Sequence, residues 1–383
     1  MSTRFKSELK VASLLLLGTA LILLAQVPRE NFSLTLVLFT LAFGAMLGSY
    51  FLDWRKDSFW WLLGVGLLFR GSLFFFAPQW SEDGVRFLWD GQLLRQGQNP
   101  YQMTPAQVQE QLGPEELGYR TQLFEELNSP HYYSVYPPLN QVLFWGAAQF
   151  AQGQLEKGYL ALRLLLLLGE VGVFSLLCWL LARFGLPQKQ VIFYWFNPLV
   201  ILEVIGNLHF EGLVLFFLVA SLANMSRNKL GLSGMFWGLA IGMKLLPMLF
   251  APSFLFWKQS RKSLGFWGMA IGIGLLCFLP LALGGAWQNF FQSLQLYQGK
   301  FEFNASVYYL LREVGNWLVG YNTIGILTKL GTAITVAGVI WMSWKRSQAT
   351  FEGMIGLWVQ LYLLYFILQP VVHPWYLLPG LGL

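Results

Sequence analysis

Residues 159–183 read YLALRLLLLLGEVGVFSLLCWLLAR, and this stretch decides the fold class. As a helix rising about 1.5 Å per residue, it is long enough to cross a hydrocarbon core roughly 30 Å thick. Comparable apolar runs recur along the 383 residues, of which 56% are hydrophobic and only 11% are charged. Soluble domains carry about twice that share of charge. The sequence therefore predicts an all-α, polytopic integral membrane protein.

The apolar runs predict about 11–13 membrane segments. They cover 11–28, 31–52, 58–77, 136–151, 159–183, 190–205, 209–226, 231–257, 263–284, 323–344 and 350–369, followed by a short last segment from Pro374. Because that last segment is too short to span, we expect a truncated C-terminus. Lys244 and Pro247 interrupt 231–257, so this segment is expected to break into two half-helices. The helices in 1–57 are interpreted as additions to a catalytic module in 58–383.

Basic residues occur in short clusters between the apolar runs, so the net charge of +6 indicates membrane orientation rather than nucleic-acid binding. Orientation is predicted by placing every cluster in the cytoplasm: Arg4/Lys6/Lys10, Arg55/Lys56, Arg183/Lys189, Arg227/Lys229, Lys258/Arg261/Lys262 and Lys345/Arg346. The polar loop 78–134 and a second outer loop, 285–322, then lie outside the cytoplasm. With this arrangement the short segment 136–151 does not cross the membrane.

The loop 78–134 is the most polar long stretch of the sequence. It holds eight carboxylates, Glu82, Asp83, Asp90, Glu110, Glu115, Glu116, Glu125 and Glu126, against three arginines. If 82–94 is helical, Asp83, Arg86 and Asp90 lie on one face at roughly 100° per residue. A solvated face with an internal Asp–Arg pair is the structural alternative to a catalytic site.

Charged residues inside apolar spans need a partner or a function. Arg70 lies in the span before the polar loop, and its partner is not evident from spacing. Arg163 and Glu170 are seven residues apart on one predicted helix, which favours a structural ion pair between them. Glu203, His209 and Glu211 are more polar groups than a helix cap requires.

The chain has only three histidines, His131, His209 and His373, and the predicted orientation sends all three to the outer face. They lack the short spacing of a zinc site, so we interpret them as phosphate or hydroxyl partners and predict no metal ligands among them. Glu82 and Asp83 remain a candidate oxygen pair for a divalent cation, Mg²⁺ or Mn²⁺.

Five motifs in order along the chain resemble a known family. They are Ser81-Glu82-Asp83 with Arg86–Gly91 and Asn99-Pro100-Tyr101; Tyr136-Pro137-Pro138-Leu139 with Gln141; Asn197-Pro198-Leu199 with Glu203 and Asn207–His209; Lys244-Leu245-Leu246-Pro247; and His373-Pro374-Trp375-Tyr376. From about Arg70 onward they look like bacterial GT-C glycosyltransferases. More narrowly, they resemble the polyprenyl-phosphate-mannose-dependent mannosyltransferase-like proteins of glycosyltransferase family 87. The family's common Asp-Asp pair is Glu82-Asp83 here, and its usual His-Asn-Asp is His209-Phe210-Glu211.

The resemblance implies a GT-C-like helical bundle whose first large extracytoplasmic loop, 78–134, supplies a catalytic aspartate. By the motif match Asp83 is the candidate general base, with Asp90 and Glu82 as further catalytic candidates. The donor-phosphate candidates are Arg86, Arg70, Lys244 and His373. The substrate-binding candidates are Tyr101, Asn99, Tyr136, His209, Glu211 and Asn304, with Trp89 and Trp375 as further aromatic residues to face the sugar.

The implied function is inverting transfer of a hexose, mannose first, from a polyprenyl-phosphate donor to an extracytoplasmic glycan or lipid acceptor in the bacterial cytoplasmic membrane. The chemistry agrees, because the chain has no glycine-rich phosphate loop and no nucleotide sugar is available outside the cytoplasm. One carboxylate then takes the acceptor proton while an Arg or Lys neutralises the departing phosphate.

Two other classes of protein stay open at this point. A transporter or flippase of a lipid or lipid-linked sugar also has broken helices, but internal repeats are expected there and none is detected. A nonenzymatic membrane assembly subunit has no need of Asp83. The sequence leaves the donor sugar, the acceptor and the oligomeric state open.

Overall fold

Helices make up the architecture of the residues that this computed structural model describes, 3–51, 59–111 and 118–383. The α-helices are α1 Thr3–Leu24, α2 Phe32–Phe51, α3 Phe59–Ser72, α4 Asp83–Arg95, α5 Pro105–Gln111, α6 Gly118–Glu125, α7 Pro138–Ala151, α8 Leu155–Arg183, α9 Ile192–Trp195, α10 Pro198–Ile201, α11 Glu211–Ser226, α12 Leu230–Met243, α13 Ala251–Phe256, α14 Leu264–Leu283, α15 Trp287–Lys300, α16 Val307–Val319, α17 Ile324–Lys345, α18 Phe351–Leu368 and α19 Leu378–Gly382. Within these ranges no strand forms, and extended backbone pairs only at an isolated parallel bridge between Phe303 and Val371.

Six of these helices are long and apolar enough to cross a membrane, counting only the described residues. They are Ser7–Leu24 within α1, α2, α8, α14, α17 and α18. The prediction of an all-α, polytopic membrane protein is confirmed. Several other predicted segments are short or broken: 59–75, 230–243 and 246–256 are shorter apolar helices. The basic pair Arg55/Lys56 and the acidic pair Glu115/Glu116 lie outside the described residues.

The predicted break in 231–257 is confirmed. α12 ends at Met243, Lys244 is fully extended, and a 3₁₀ turn begins at Leu246. Proline at 247 has no N–H to continue the helix. The indole of Trp237 donates to the Pro247 carbonyl at 3.0 Å, which ties the two halves together across the break. Lys244 therefore lies just past the end of α12, outside the helix.

The prediction of one helix over 190–205 is wrong. The backbone forms a 3₁₀ turn at Gln188–Val191, the short helices α9 and α10, and a π-turn at Leu202–Gly206. Asn197 is extended because it precedes a proline, and its side chain accepts from the N–H of Leu199 at 3.0 Å, starting a new helix there. Helix α11 then leaves at 115° to Pro198–Gly206.

The predicted pair between Arg163 and Glu170 is also wrong. The cationic partner of Glu170 is Arg70, whose Nη2 lies 2.6 Å from Glu170 Oε2 with both side chains fully buried. Arg163 instead donates to the carbonyls of Phe74, Phe76, Ile205 and Gly206. These carbonyls lie at the ends of short helices, where no intrahelical donor reaches them, so the guanidinium supplies the missing donors.

The predicted helix over 82–94 is confirmed as α4, which packs against α7. The approach is so close that a Cβ at Gly91 would lie 2.2 Å from the carbonyl oxygen of Phe144. Only glycine allows this contact, and it fixes the height of α4 on α7. This contact positions α4 against α7.

Candidate functional site

A cavity of about 450 Å³ opens at the start of α4. Its walls come from α4, α7, α11, α15, α18 and the breaks at 207–210 and 244–246. The predicted site residues that line it are Asp83, Tyr136, His209, Glu211, Lys244 and Trp375. Much of the remaining wall is apolar, with Leu245, Leu246 and Leu249 on one side. The cavity therefore combines a few charged groups with a largely apolar wall.

Asp83 stands in the first turn of α4 with its side chain 28% exposed, and it lines the cavity together with Phe87 one turn later. Its Oδ2 lies 3.7 Å from Nε2 of His209. Burial raises the pKa of Asp83, but the surrounding groups, His209 foremost, together lower that pKa by more, so the net shift is downward. Asp83 is therefore an ionised carboxylate that faces the cavity.

His209 is held on three sides. Its Nδ1 lies 2.9 Å from Glu203 Oε2, its Nε2 faces Asp83, and its ring stacks on Trp375 with centroids 3.7 Å apart. The turn that carries it places Leu208 at φ 67°, a left-handed conformation that is costly for a branched side chain. Such a turn persists only where its surroundings enforce it.

Lys244 places an ammonium group in the cavity wall. It forms an ion pair with Glu211 in the first turn of α11, and its Nζ lies 3.8 Å from the centre of the Tyr376 ring. Because the side chain is 29% exposed, the ammonium has room for a further anionic partner. Cation–π contact with Tyr376 keeps the ammonium at the cavity wall.

A stack of rings borders this site. His373 stacks on Trp375 at 4.3 Å and on Phe303 at 4.6 Å, and Tyr297 Oη lies 2.6 Å from its Nε2. Burial lowers the pKa of His373 to about 4, so this imidazole is neutral near pH 7. His373 thus offers a hydrogen bond to a neighbour, and it does not offer a positive charge. The Trp375 ring is occupied by its two histidine neighbours.

The structure separates Asp83 from the rest of its predicted helix face. Asp90 is fully buried and accepts from Arg86 Nε at 2.8 Å, Ser134 Oγ at 2.5 Å and Gln141 Nε2 at 2.8 Å. Arg86 also donates to the carbonyls of Ser129 and Tyr132. The pair therefore pins the end of the polar loop to α4 and α7.

The remaining candidates lie away from the cavity lining. Glu82 accepts from Asn128 at 2.8 Å on the loop surface, and Arg70 is engaged by Glu170. Asn99 caps the turn at Tyr101, whose hydroxyl donates to the Tyr136 carbonyl at 2.5 Å.

Three further candidates, Asn304, Trp89 and His131, also lie outside the cavity lining. Asn304 donates to the Val372 carbonyl at 3.3 Å, so it supports the ring stack from behind. Trp89 is buried in the core, and His131 is exposed on the loop. Among the described residues, no group of three or more His, Cys, Asp or Glu side chains is arranged to hold a metal ion.

Several residues of the site were given no role from the sequence. Tyr297 lies on α15 outside every motif, and Tyr376 ends the last motif without a charge of its own. Glu203 belongs to the third motif and adds polarity near a helix start, but neither feature predicts its partner. Its role as the partner of His209 depends on the π-turn, because that turn brings positions 203 and 209 together across one loop.

The chain belongs to the MptA_B family, described as alpha-(1->6)-mannopyranosyltransferase, N-terminal domain, whose model matches residues 29–259. This match confirms the likeness to GT-C mannosyltransferases that the motifs predict. The chain is also 31% identical over 160 residues to alpha-(1->6)-mannopyranosyltransferase B of Corynebacterium glutamicum. That alignment covers 41% of this chain and 24% of the relative, so the chain spans about a quarter of its length. No solved structure matches the chain.

Proposed function

We propose that the protein is a membrane glycosyltransferase that transfers mannose from a polyprenyl-phosphate donor to a glycan or lipid acceptor, with inversion at the anomeric carbon. One observation carries the proposal: the carboxyl group of Asp83 and the ammonium of Lys244 line the same cavity. An acceptor needs the first group, and a departing phosphate needs the second.

The reaction uses these groups in one displacement. The acceptor hydroxyl oxygen attacks the anomeric carbon, its proton passes to Asp83, and the bond between that carbon and the phosphate oxygen breaks. The electron pair leaves with the polyprenyl phosphate, whose charge Lys244 neutralises. A positioned general base contributes about 10²- to 10⁴-fold to such a step.

The shape and surface of the cavity fit a lipid-linked donor. Leu245, Leu246 and Leu249 extend the apolar wall directly from Lys244, so a phosphate at the ammonium has hydrocarbon-lined space beside it. Tyr136 lines the wall near Asp83 and supplies a ring for sugar contact. The Corynebacterium relative is an alpha-(1->6)-mannopyranosyltransferase, which supports mannose as the sugar.

The proposed location is the bacterial cytoplasmic membrane, with the cavity open to the extracytoplasmic side. The positions of the basic clusters along the sequence support this orientation. A divalent cation, Mg²⁺ or Mn²⁺, stays a sequence prediction based on Glu82 and Asp83; Glu82 contacts Asn128 while Asp83 faces the cavity.

The proposal is tested with purified protein in detergent, where transport between compartments has no meaning. Polyprenyl-phosphate-mannose labelled in the sugar is supplied with membrane acceptors, and the product is analysed by NMR. We expect labelled mannose on the acceptor with the anomeric configuration opposite to that of the donor. Retained configuration contradicts the direct displacement, and a donor that is never consumed contradicts the enzyme assignment.

A further inference from the structure

Glu203 is a carboxylate directly behind the cavity wall. It is only 3% exposed and does not line the cavity, yet its Oε2 lies 2.9 Å from Nδ1 of His209, whose other ring nitrogen faces Asp83. We propose that Glu203 is a positioning residue that acts through His209 to keep Asp83 ionised and correctly aimed. This inference rests on the proposed function, in which Asp83 is the base.

The backbone is built to hold Glu203 in this place. The N–H of His209 donates to the Glu203 carbonyl at 3.0 Å, and the N–H of Asn207 donates to the Leu202 carbonyl at 2.8 Å. The Asn207 amide also donates to Glu203 Oε2 at 3.3 Å, while its oxygen accepts from the N–H of Trp80 at 3.2 Å. A Glu held from both its backbone and its carboxylate has little freedom to turn away.

Charge determines what His209 does between its two neighbours. A neutral imidazole carries no charge to balance either carboxylate, whereas an imidazolium between the two attracts both. Leaving either Glu203 or Asp83 without a cationic partner in this buried place is unfavourable. The flat contact with Trp375 further suits a cationic ring. The arrangement therefore favours the imidazolium form of His209.

The other charged or titratable groups near Asp83 are already balanced or neutral. Lys244 is paired with Glu211, and the neighbouring Arg86 is paired with Asp90. Tyr136 and Tyr297 are buried phenols whose pKa values are raised, and His373 is neutral near pH 7 because burial lowers its pKa. His209 is thus the cation available to Asp83, and Glu203 is the group that maintains it.

Neutralising Glu203 is expected to raise the pKa of Asp83. Without the second carboxylate the imidazolium is weakened, so Asp83 loses the interaction that lowers its pKa while burial still raises it. Asp83 then takes up a proton at a higher pH. Because a base must be ionised to act, the acid limb of the pH profile of kcat/KM moves upward.

The test compares Glu203→Gln with Glu170→Gln, a matched change at an equally buried carboxylate that pairs with Arg70 outside the cavity. We expect Glu203→Gln to shift the acid limb to higher pH, Glu203→Asp to restore it in part, and Glu170→Gln to lower thermal stability without moving it. A Glu203→Gln enzyme with reduced kcat but an unmoved acid limb overturns the proposal, because that result indicates a merely structural role.

A second readout does not need activity. In protein labelled with ¹³C-histidine, the three imidazoles are assigned with His131→Gln and His373→Gln, and the His209 signal is followed across pH. We expect imidazolium at pH 7 in the wild type and the neutral form in Glu203→Gln. If that variant does not fold, Asp83→Asn must move the signal in the same direction. An unchanged signal overturns the inference, whereas an active Asp83→Asn overturns only the base assignment.

Discussion

At the scale of residues, Asp83 and Asp90 differ in the side chains that each one contacts, although both were predicted on one face of α4. The sequence places both on one face of α4, and the motif match alone favours Asp83. In the structure Asp83 faces the cavity and His209. Asp90 instead forms an ion pair with Arg86 and accepts hydrogen bonds from Ser134 and Gln141. A helical wheel could not predict this division, because the contacts of Arg86 come from a loop more than forty residues away.

Asp90→Asn is expected to destabilise the protein more than it affects any chemical step. The change leaves the buried Arg86 guanidinium without its counter-charge, and breaking such a pair costs about 3–5 kcal/mol. Thermal unfolding monitored by intrinsic tryptophan fluorescence measures the loss. Asp83→Asn serves as the matched control and should keep a near wild-type Tm, so equal Tm values for both variants contradict the division of roles.

Lys244→Gln is expected to lower kcat by roughly 10²-fold, in line with the loss of one charged contact to a developing anion. Lys244→Arg keeps the positive charge and should recover part of the rate. Turnover of polyprenyl-phosphate-mannose at saturating donor measures both. A Lys244→Gln enzyme with wild-type kcat means that another group neutralises the phosphate.

At the scale of elements, periodicity was a sound guide where a helix is regular and a poor one where it is broken. The α4 helix and the break at Lys244 follow from local sequence, because amphipathic spacing and a proline act within a few residues. The segment 190–205 looked like one apolar helix, yet Asn197-Pro198 and a π-turn divide it. That turn brings Glu203 to His209, so the feature hardest to predict is the one that organises the site.

Gly91→Ala tests how α4 is held. The new Cβ would lie 2.2 Å from the Phe144 carbonyl oxygen, so the helices must separate, at a cost of about 1–3 kcal/mol for overpacking. Both Tm and turnover should fall, because the movement displaces the start of α4. Gly146→Ala on α7, where nothing lies within 4 Å of the added carbon, should leave both unchanged. A harmless Gly91→Ala contradicts the tight contact.

At the scale of the whole molecule, composition alone was enough to predict a multi-pass helical membrane protein. What composition could not predict is how the segment 285–322, expected from the sequence to be a second outer loop, meets the last segment. Phe303 donates to the Pro370 carbonyl and accepts from the Val372 N–H, which fastens this loop over the ring stack. These pairings join positions about seventy residues apart and carry no local pattern. The sidedness of the membrane and the division into 1–57 and 58–383 stay predictions.

Sidedness is tested by cysteine labelling in a background where Cys178 and Cys277 are replaced by alanine. Glu126→Cys, exposed on the polar loop, should react with a membrane-impermeant maleimide in intact cells. Arg261→Cys, exposed between α13 and α14, should react only after permeabilisation. The reverse pattern places the cavity on the cytoplasmic side and removes the reason for a lipid-linked donor.

The most direct test of the central claim is the single-turnover rate of mannosyl transfer from bound polyprenyl-phosphate-mannose in Asp83→Asn. The adjacent Glu82→Gln is the matched control, since Glu82 contacts Asn128 outside the cavity lining. We predict that Asp83→Asn still binds donor and keeps its Tm, but transfers mannose about 10²- to 10⁴-fold more slowly, while Glu82→Gln stays near the wild-type rate. Transfer by Asp83→Asn at the wild-type rate would contradict the account.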